Sequence, residues 1–348
     1  MSSDNSGAGE NVDRTAARES LPPAIEYPGP NNITVSPNQP RQPTTLQDLL
    51  RFSVEAAGGQ MTQNNAVAID EERRKFLEAA LKSLTFDVIE ELLKAINILK
   101  NAGTLELEDD PSACEAALDT ITQHVDNMDT ANDFHKIGGF CIFHPCLDSA
   151  HSSLRWRAAE IIAELTQNNP YCQQRILEAN LLQPLLNLVD NDPASQVRVK
   201  ALYAISCLVR ENKNALQEFI KHAGYSVLLR AMQSNVEKLQ VKSAFLLSSL
   251  CSSTEIKDEL CKMGFIEQLI GLVGPEGSPA VEHLLSAVVA LVSDHELSQQ
   301  ECRRPELHLR DKLFQLMQNV SGKEEFREIH EYAQYLLRIV FSGDEEER

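Results

Sequence analysis

The chain has 348 residues, 43% of them apolar, enough for one large or two ordinary domains with a sizeable core. Its 51 acidic side chains outnumber 32 Lys and Arg, a formal net charge of −19, which excludes a nucleic acid or an anionic membrane held by a basic surface. Aromatic residues make up only 5%, with a single Trp, so helices packed on helices are favoured over a β-sandwich.

Residues 1–44 hold seven of the fifteen prolines among many Ser, Asn and Gly, a composition that predicts a disordered tail. The start has neither a basic n-region nor an apolar h-region, which predicts a cytoplasmic protein. A short amphipathic segment spans 45–60, with Thr45 as a cap and Leu46, Leu49, Leu50 and Val54 on one helical stripe that stops at Gly58 and Gly59. Polar residues follow it, so it suits a docking segment as well as a core helix. Helical patterning then runs almost without break from Asp70, where Asp70, Glu71 and Glu72 sit at the positive end of a helix dipole. Residues 70–137 are expected to be N-terminal capping helices. Their acidic connection at 103–111 lacks the alternating oxygen ligands and central glycine of a calcium loop.

Residues 138–305 repeat themselves. Segments 154–165 (LRWRAAEIIAEL), 197–208 (VRVKALYAISCL), 239–250 (LQVKSAFLLSSL) and 281–292 (VEHLLSAVVALV) align without gaps, their starts 43, 42 and 42 residues apart. Each follows a shorter amphipathic helix that opens at Gly138, Asn180, Gly224 or Gly264. A short helix, a turn and a longer helix with a period near 42 predict armadillo-type repeats whose neighbours share one continuous core. The expected fold is an all-α armadillo-type superhelix of about four central repeats. Helices at 306–341 would cap its C-terminal end, leaving 342–348 as an acidic tail.

In such a superhelix the longest helix of each repeat lines the concave side. In the twelve-residue frame the fourth position reads Arg157, Lys200, Lys242 and Leu284, the seventh Glu160, Tyr203, Phe245 and Ala287, and the eleventh Glu164, Cys207, Ser249 and Leu291. A basic row beside Tyr and Phe in an acidic protein is suited to an acidic protein surface. The plain alternative is that the charges are ordinary solvated positions and the two rings belong to the core. The polar stretch at 126–134, between the first helices and the first clear repeat, reads as a helix end rich in cap-forming residues.

Catalytic chemistry is not offered. The chain has no Walker loop, Gly-rich dinucleotide turn, G-x-S-x-G elbow or H-E-x-x-H motif, and is read as a non-enzyme without cofactor. Cys141, His144, Cys146 and His151 lie within eleven residues, but on a helix that spacing scatters ligands over several faces, so no metal is expected. The eight cysteines include no C-x-x-C pair and fit a reducing compartment.

Several segments together resemble the Hsp-binding protein one family: VRVKALYAISCLVRE at 197–211, LQVKSAFLL at 239–247, EERR at 71–74, DNMD at 126–129, LRWRAA at 154–159 and ECRRPEL at 301–307. Its members are armadillo-type nucleotide exchange factors of the seventy-kilodalton heat-shock chaperones, and the resemblance extends over nearly all of 45–341. It implies a co-chaperone without catalysis of its own, whose concave face grips one lobe of the chaperone's ATPase domain so that ADP escapes. On this resemblance Arg157, Glu160, Lys200, Tyr203, Lys242 and Phe245 lie on the gripping face, with Ala131 and Asn132 at its N-terminal edge. Leu46, Leu49, Leu50 and Phe52 fall in a segment that aids client release. The resemblance is to the cytosolic branch, and a monomer is expected. The alternative is an armadillo scaffold or adaptor that inhibits a chaperone-associated ubiquitin ligase. An importin-like adaptor fits less well, because the repeated Trp and Asn ladder of that class is missing from the long helices.

Overall fold

The computed structural model describes residues 88–341, all within one compact unit that spans 77–348. The tail expected at 1–44, the amphipathic segment with Leu46, Leu49, Leu50 and Phe52, and the acidic tail at 342–348 lie outside the described residues. Among the described residues every regular element is helical, with seventeen α-helices and four short 3₁₀ turns.

Helix α1 (Val88–Leu99) buries Leu92, Ala95, Ile96 and Leu99, a spacing that puts all four on one stripe, and packs them on α2 (Ser112–Thr122). A three-helix unit then recurs. The first comprises α3 (Met128–Lys136), α4 (Phe143–Leu147) and α5 (Ser152–Thr166); the second α6 (Pro170–Glu178), α7 (Leu182–Asn191) and α8 (Ser195–Val209). The third is α9 (Lys213–Lys221), α10 (Gly224–Met232) and α11 (Glu237–Leu250); the fourth α12 (Thr254–Lys262), α13 (Phe265–Leu272) and α14 (Pro279–Val292). Residues after these supply α15 (Glu296–Cys302), α16 (Leu309–Val320) and α17 (Arg327–Phe341), again with the longest helix third.

Each unit therefore has one helix more than the short-plus-long pair visible in the sequence. The first helices are short and polar; α9, KNALQEFIK, buries only Ala215 and Phe219, too little apolar pattern to stand out. What defines them is their caps. The side chains of Asn127, Asn169, Asn212, Ser253 and His295 each accept a hydrogen bond from a backbone N–H in the first turn of the helix that follows. The turn into each second helix passes through a left-handed residue, at Gly138, Asn180, Ala223, Gly264 and His308. Glycine fits that conformation at no steric cost, which explains two of the five choices.

The third helices form the spine of the fold. Contacts run α2 to α5 to α8 to α11 to α14 to α17, so each long helix lies between two others. Burial is accordingly almost all-round: α8 hides Val197, Ala201, Leu202, Ala204, Ile205, Cys207, Leu208 and Val209. At about 1.5–3 kcal/mol for each large aliphatic side chain removed from water, this shared core holds units that are too small to fold alone. One narrow strip of each third helix is left uncovered.

Candidate partner-binding face

The uncovered strip is built from the fourth and seventh positions of the long helices, and the stagger between neighbours decides what meets. The fourth position of one helix lies beside the seventh of the helix before it. Lys200 on α8 forms an ion pair with Glu160 on α5. Lys242 on α11 stands 5.3 Å over the ring of Tyr203 on α8. Arg157 on α5 reaches back to α2, with Nε donating to Asp119 Oδ1 at 2.8 Å and Nη1 4.0 Å from Glu115. The result is a ladder of cation on acid or cation on ring.

Trp156 supports its first rungs, with the Arg157 guanidinium 4.4 Å and the Lys200 ammonium 5.9 Å from its ring centre. The Tyr203 hydroxyl donates to Gln167 Oε1 at 3.0 Å, and burial, followed by the nearby Cys207 and Glu164, pushes its pKa up to about 12. It is therefore a neutral donor at physiological pH. Burial, and then Glu160, also raises the pKa of Glu164. Phe245 is 50% exposed, with the Arg210 guanidinium 6.0 Å from its ring centre and the His283 ring 6.4 Å away. It is no core aromatic, whereas Tyr203 is partly buried.

The ladder ends in the fourth unit. Leu284, at the fourth position there, is buried, as are Ala287, Leu291 and, two units earlier, Cys207. Beyond the ladder Glu282 on α14 neighbours Glu328 on α17; burial and then that second carboxylate raise the pKa of Glu282.

The two residues expected at the edge lie on the first helix α3. Ala131 is buried on α3, and its carbonyl accepts from the Cys172 thiol at 3.7 Å. Asn132, within α3, accepts from Nδ2 of the cap residue Asn169 at 3.1 Å. Conversely Arg210 and His283 join the face without having been singled out, because Arg210 lies just past the end of α8 and His283 one residue before the fourth position. An aromatic residue at the seventh position of the neighbouring helix was the available signal for both.

The cysteines and histidines near 141–151 do separate work. Cys146 is fully buried and Cys141 exposed, while His144 Nε2 donates to the Ala179 carbonyl at 3.1 Å and His151 Nε2 to the Glu106 carbonyl at 2.9 Å. Among the described residues no three His, Cys, Asp or Glu side chains are grouped to hold a metal, and no helix is long and apolar enough to cross a membrane. An open hollow of about 590 Å³, lined by residues of α6 and α9 such as Gln174 and Gln217, contains none of the ladder residues.

Comparison with known proteins places this geometry. A designed armadillo repeat protein in complex with a (KR)4 peptide matches with a TM-score of 0.59 at 20% identity, over 72% of this chain and 99% of its own, which shows the fold alone. The model of the nucleotide exchange factor Fes1 matches residues 46–134, and that of the SIL1/FES1/HPBP1 C-terminal domain matches residues 130–247. Hsp70-binding protein 1 of Mus musculus is 39% identical over 337 residues, covering 93% of this chain and 94% of its own. The human protein of the same name is 39% identical over 87% of each chain. The Hsp70 nucleotide exchange factor FES1 of Saccharomyces cerevisiae is 28% identical over 51% of this chain and 64% of its own. At this identity, carried across nearly the whole length, the chain belongs to the SIL1/FES1/HPBP1 family.

Proposed function

We propose that this protein is a nucleotide exchange factor of Hsp70, a co-chaperone that binds the ATPase domain through the face formed by its third helices and promotes release of ADP. The observation that carries the reading is the near full-length match to Hsp70-binding protein 1, joined to a ladder face that is cationic and aromatic in an otherwise acidic chain. The ladder residues Arg157, Glu160, Lys200, Tyr203, Lys242 and Phe245 are the proposed contact set.

Linkage states what the interaction must do. A partner that binds nucleotide-free Hsp70 better than the ADP form lowers the affinity for ADP by the same factor. No side chain of this protein needs to touch nucleotide, and none needs to act as acid, base or nucleophile. The protein is proposed to work as a monomer in the cytoplasm, because one copy carries the whole ladder. Inhibition of a ubiquitin ligase has no feature of this face in its favour.

The test is stopped-flow release of a fluorescent ADP from Hsp70 with the protein, without it, and with Lys242→Glu. Acceleration by the wild type, lost on reversal of Lys242, is the expected result; no acceleration by folded wild type refutes the proposal. Reversal of Lys200 is the poorer probe, since the new carboxylate would face Glu160 and disturb the face itself.

A further inference from the structure

The six contact residues are not equivalent, and their pairing within the chain separates them. Arg157 and Lys200 already have carboxylate partners, so their charge is largely neutralised before any partner arrives. A partner's carboxylate gains from them only the difference between two ion pairs, and exposed or half-exposed pairs are worth about 0–1 kcal/mol. Lys242 and Arg210 differ. Among the described residues neither has a carboxylate within 4 Å; each stands over an aromatic ring instead, which holds the cation in place and leaves its charge uncancelled.

Exposure of apolar surface points to the same place. Eight large apolar side chains are exposed among the described residues, and Phe245 is the only one of them on a third helix. The long helices otherwise bury their apolar side chains thoroughly, so a half-exposed ring on the spine, flanked by Arg210 and His283, is an exception to the pattern that builds the fold. Aromatic rings beside Arg are the side chains that dominate binding energy at interfaces.

We propose that Phe245 is the anchor of the partner interface, and that it enters an apolar pocket in the partner whose rim is acidic and is met by Lys242 and Arg210. Arg210 acts as a positioning residue as well as a charge, because its guanidinium lies over the ring that must enter the pocket. The face thus runs from neutralised pairs on α5 and α8 to a cationic corner around Phe245. Such a sequence of charges fits a partner in one orientation only. This inference rests on the reading of the ladder face as the Hsp70-binding surface and says where on that face the affinity lies.

The experiment measures the concentration of this protein that gives half-maximal acceleration of ADP release, for the full chain and for single variants, at low and high salt. Phe245→Ala is expected to raise that concentration by about thirtyfold, the value for a strong interface anchor. Lys242→Ala and Arg210→Ala should each raise it about fivefold at low salt, with the difference shrinking at high salt as screening takes over. Arg157→Ala should cost about twofold. Arg210→Lys, which keeps the charge and loses the planar group over the ring, should recover only part of the loss at either salt. Thermal melting of Phe245→Ala close to wild type would confirm that the loss is one of binding. If wild type accelerates release but Phe245→Ala and Lys242→Ala cost less than Arg157→Ala, the exchange function stands and the cationic corner is wrong. If wild type does not accelerate release, the functional reading fails and this inference with it.

Discussion

The third and fourth units solve the same packing problem in opposite ways. At the turn from first to second helix, the third unit has Phe219 on α9 and Gly224 opening α10; the fourth has Leu260 on α12 and Phe265 opening α13. All four positions are buried. A Cβ on Gly224 would lie 2.4 Å from the Phe219 ring, so the large side chain of one helix is matched by the smallest residue of the other. The first unit repeats this choice with Phe134 and Gly139, where the same distance is 2.4 Å. The fourth unit instead holds two large side chains at these positions, with Leu and not Phe on the first helix where Phe opens the second. On the surface the two units also part: in the third, Gln240 Nε2 donates to the Ser234 carbonyl at 2.6 Å and Lys242 faces solvent, whereas in the fourth Glu282 turns to Glu328 and Leu284 is buried. A repeat fold keeps its shape by compensation inside each unit, and is free to change its surface from one unit to the next.

The largest expected effect comes from breaking the match in the third unit. Gly224→Ala forces the new methyl group into the ring of a fully buried Phe219, and overpacking of this kind costs about 1–3 kcal/mol. Phe219→Leu, which imitates the fourth unit, should return part of that loss when combined with it. A double-mutant cycle by denaturant unfolding measures the coupling; strictly additive losses would show that the two positions are independent and that the comparison between units is mistaken. A smaller effect of opposite sign is expected next door. Ala223 has φ of 57°, where the fourth unit has Gly264 at 77°. Ala223→Gly should relieve the left-handed strain and stabilise by about 0.5–1 kcal/mol after the entropy gained by the unfolded chain is subtracted. A lower melting temperature for the variant would mean that the strain is already relaxed.

Much of this architecture is legible in the sequence, and what is hidden has a physical reason. The long helices announce themselves because they sit between two neighbours and must be apolar nearly all round, so the 42-residue period is strong there. The first helices bury as few as two residues each, and only a run of caps at Asn127, Asn169, Asn212, Ser253 and His295 betrays them. The last cap is a histidine, which no simple cap search would include. For the face, periodicity identifies the fourth and seventh positions but says nothing of the stagger that sets Lys200 on Glu160 and Lys242 on Tyr203. That stagger is a property of two helices packed together, so Arg210, beyond the end of its helix, is visible as part of the face only in three dimensions.

The smallest effect tests the surface side of the comparison. Burial, and then Glu328, raises the Glu282 pKa, with His283 at 3.7 Å opposing the shift. A carboxyl group whose pKa is raised in the folded chain stays protonated there while the unfolded chain, with its ordinary value of about 4.3, releases its proton. Folded stability is therefore fullest below about pH 4.3 and falls as pH rises from there through the folded pKa. Glu282→Gln removes the ionisation and keeps a donor for the Glu328 carboxylate. The variant should melt above wild type at pH 7 by an amount set by tenths of a kcal/mol, since solvent screens a pair this exposed, and the two curves should converge near pH 4. Melting temperatures followed across that range decide the matter. A difference that is unchanged between pH 4 and pH 7 would mean that Glu282 acts by packing, and the fourth unit would then differ from the third in shape and not in charge.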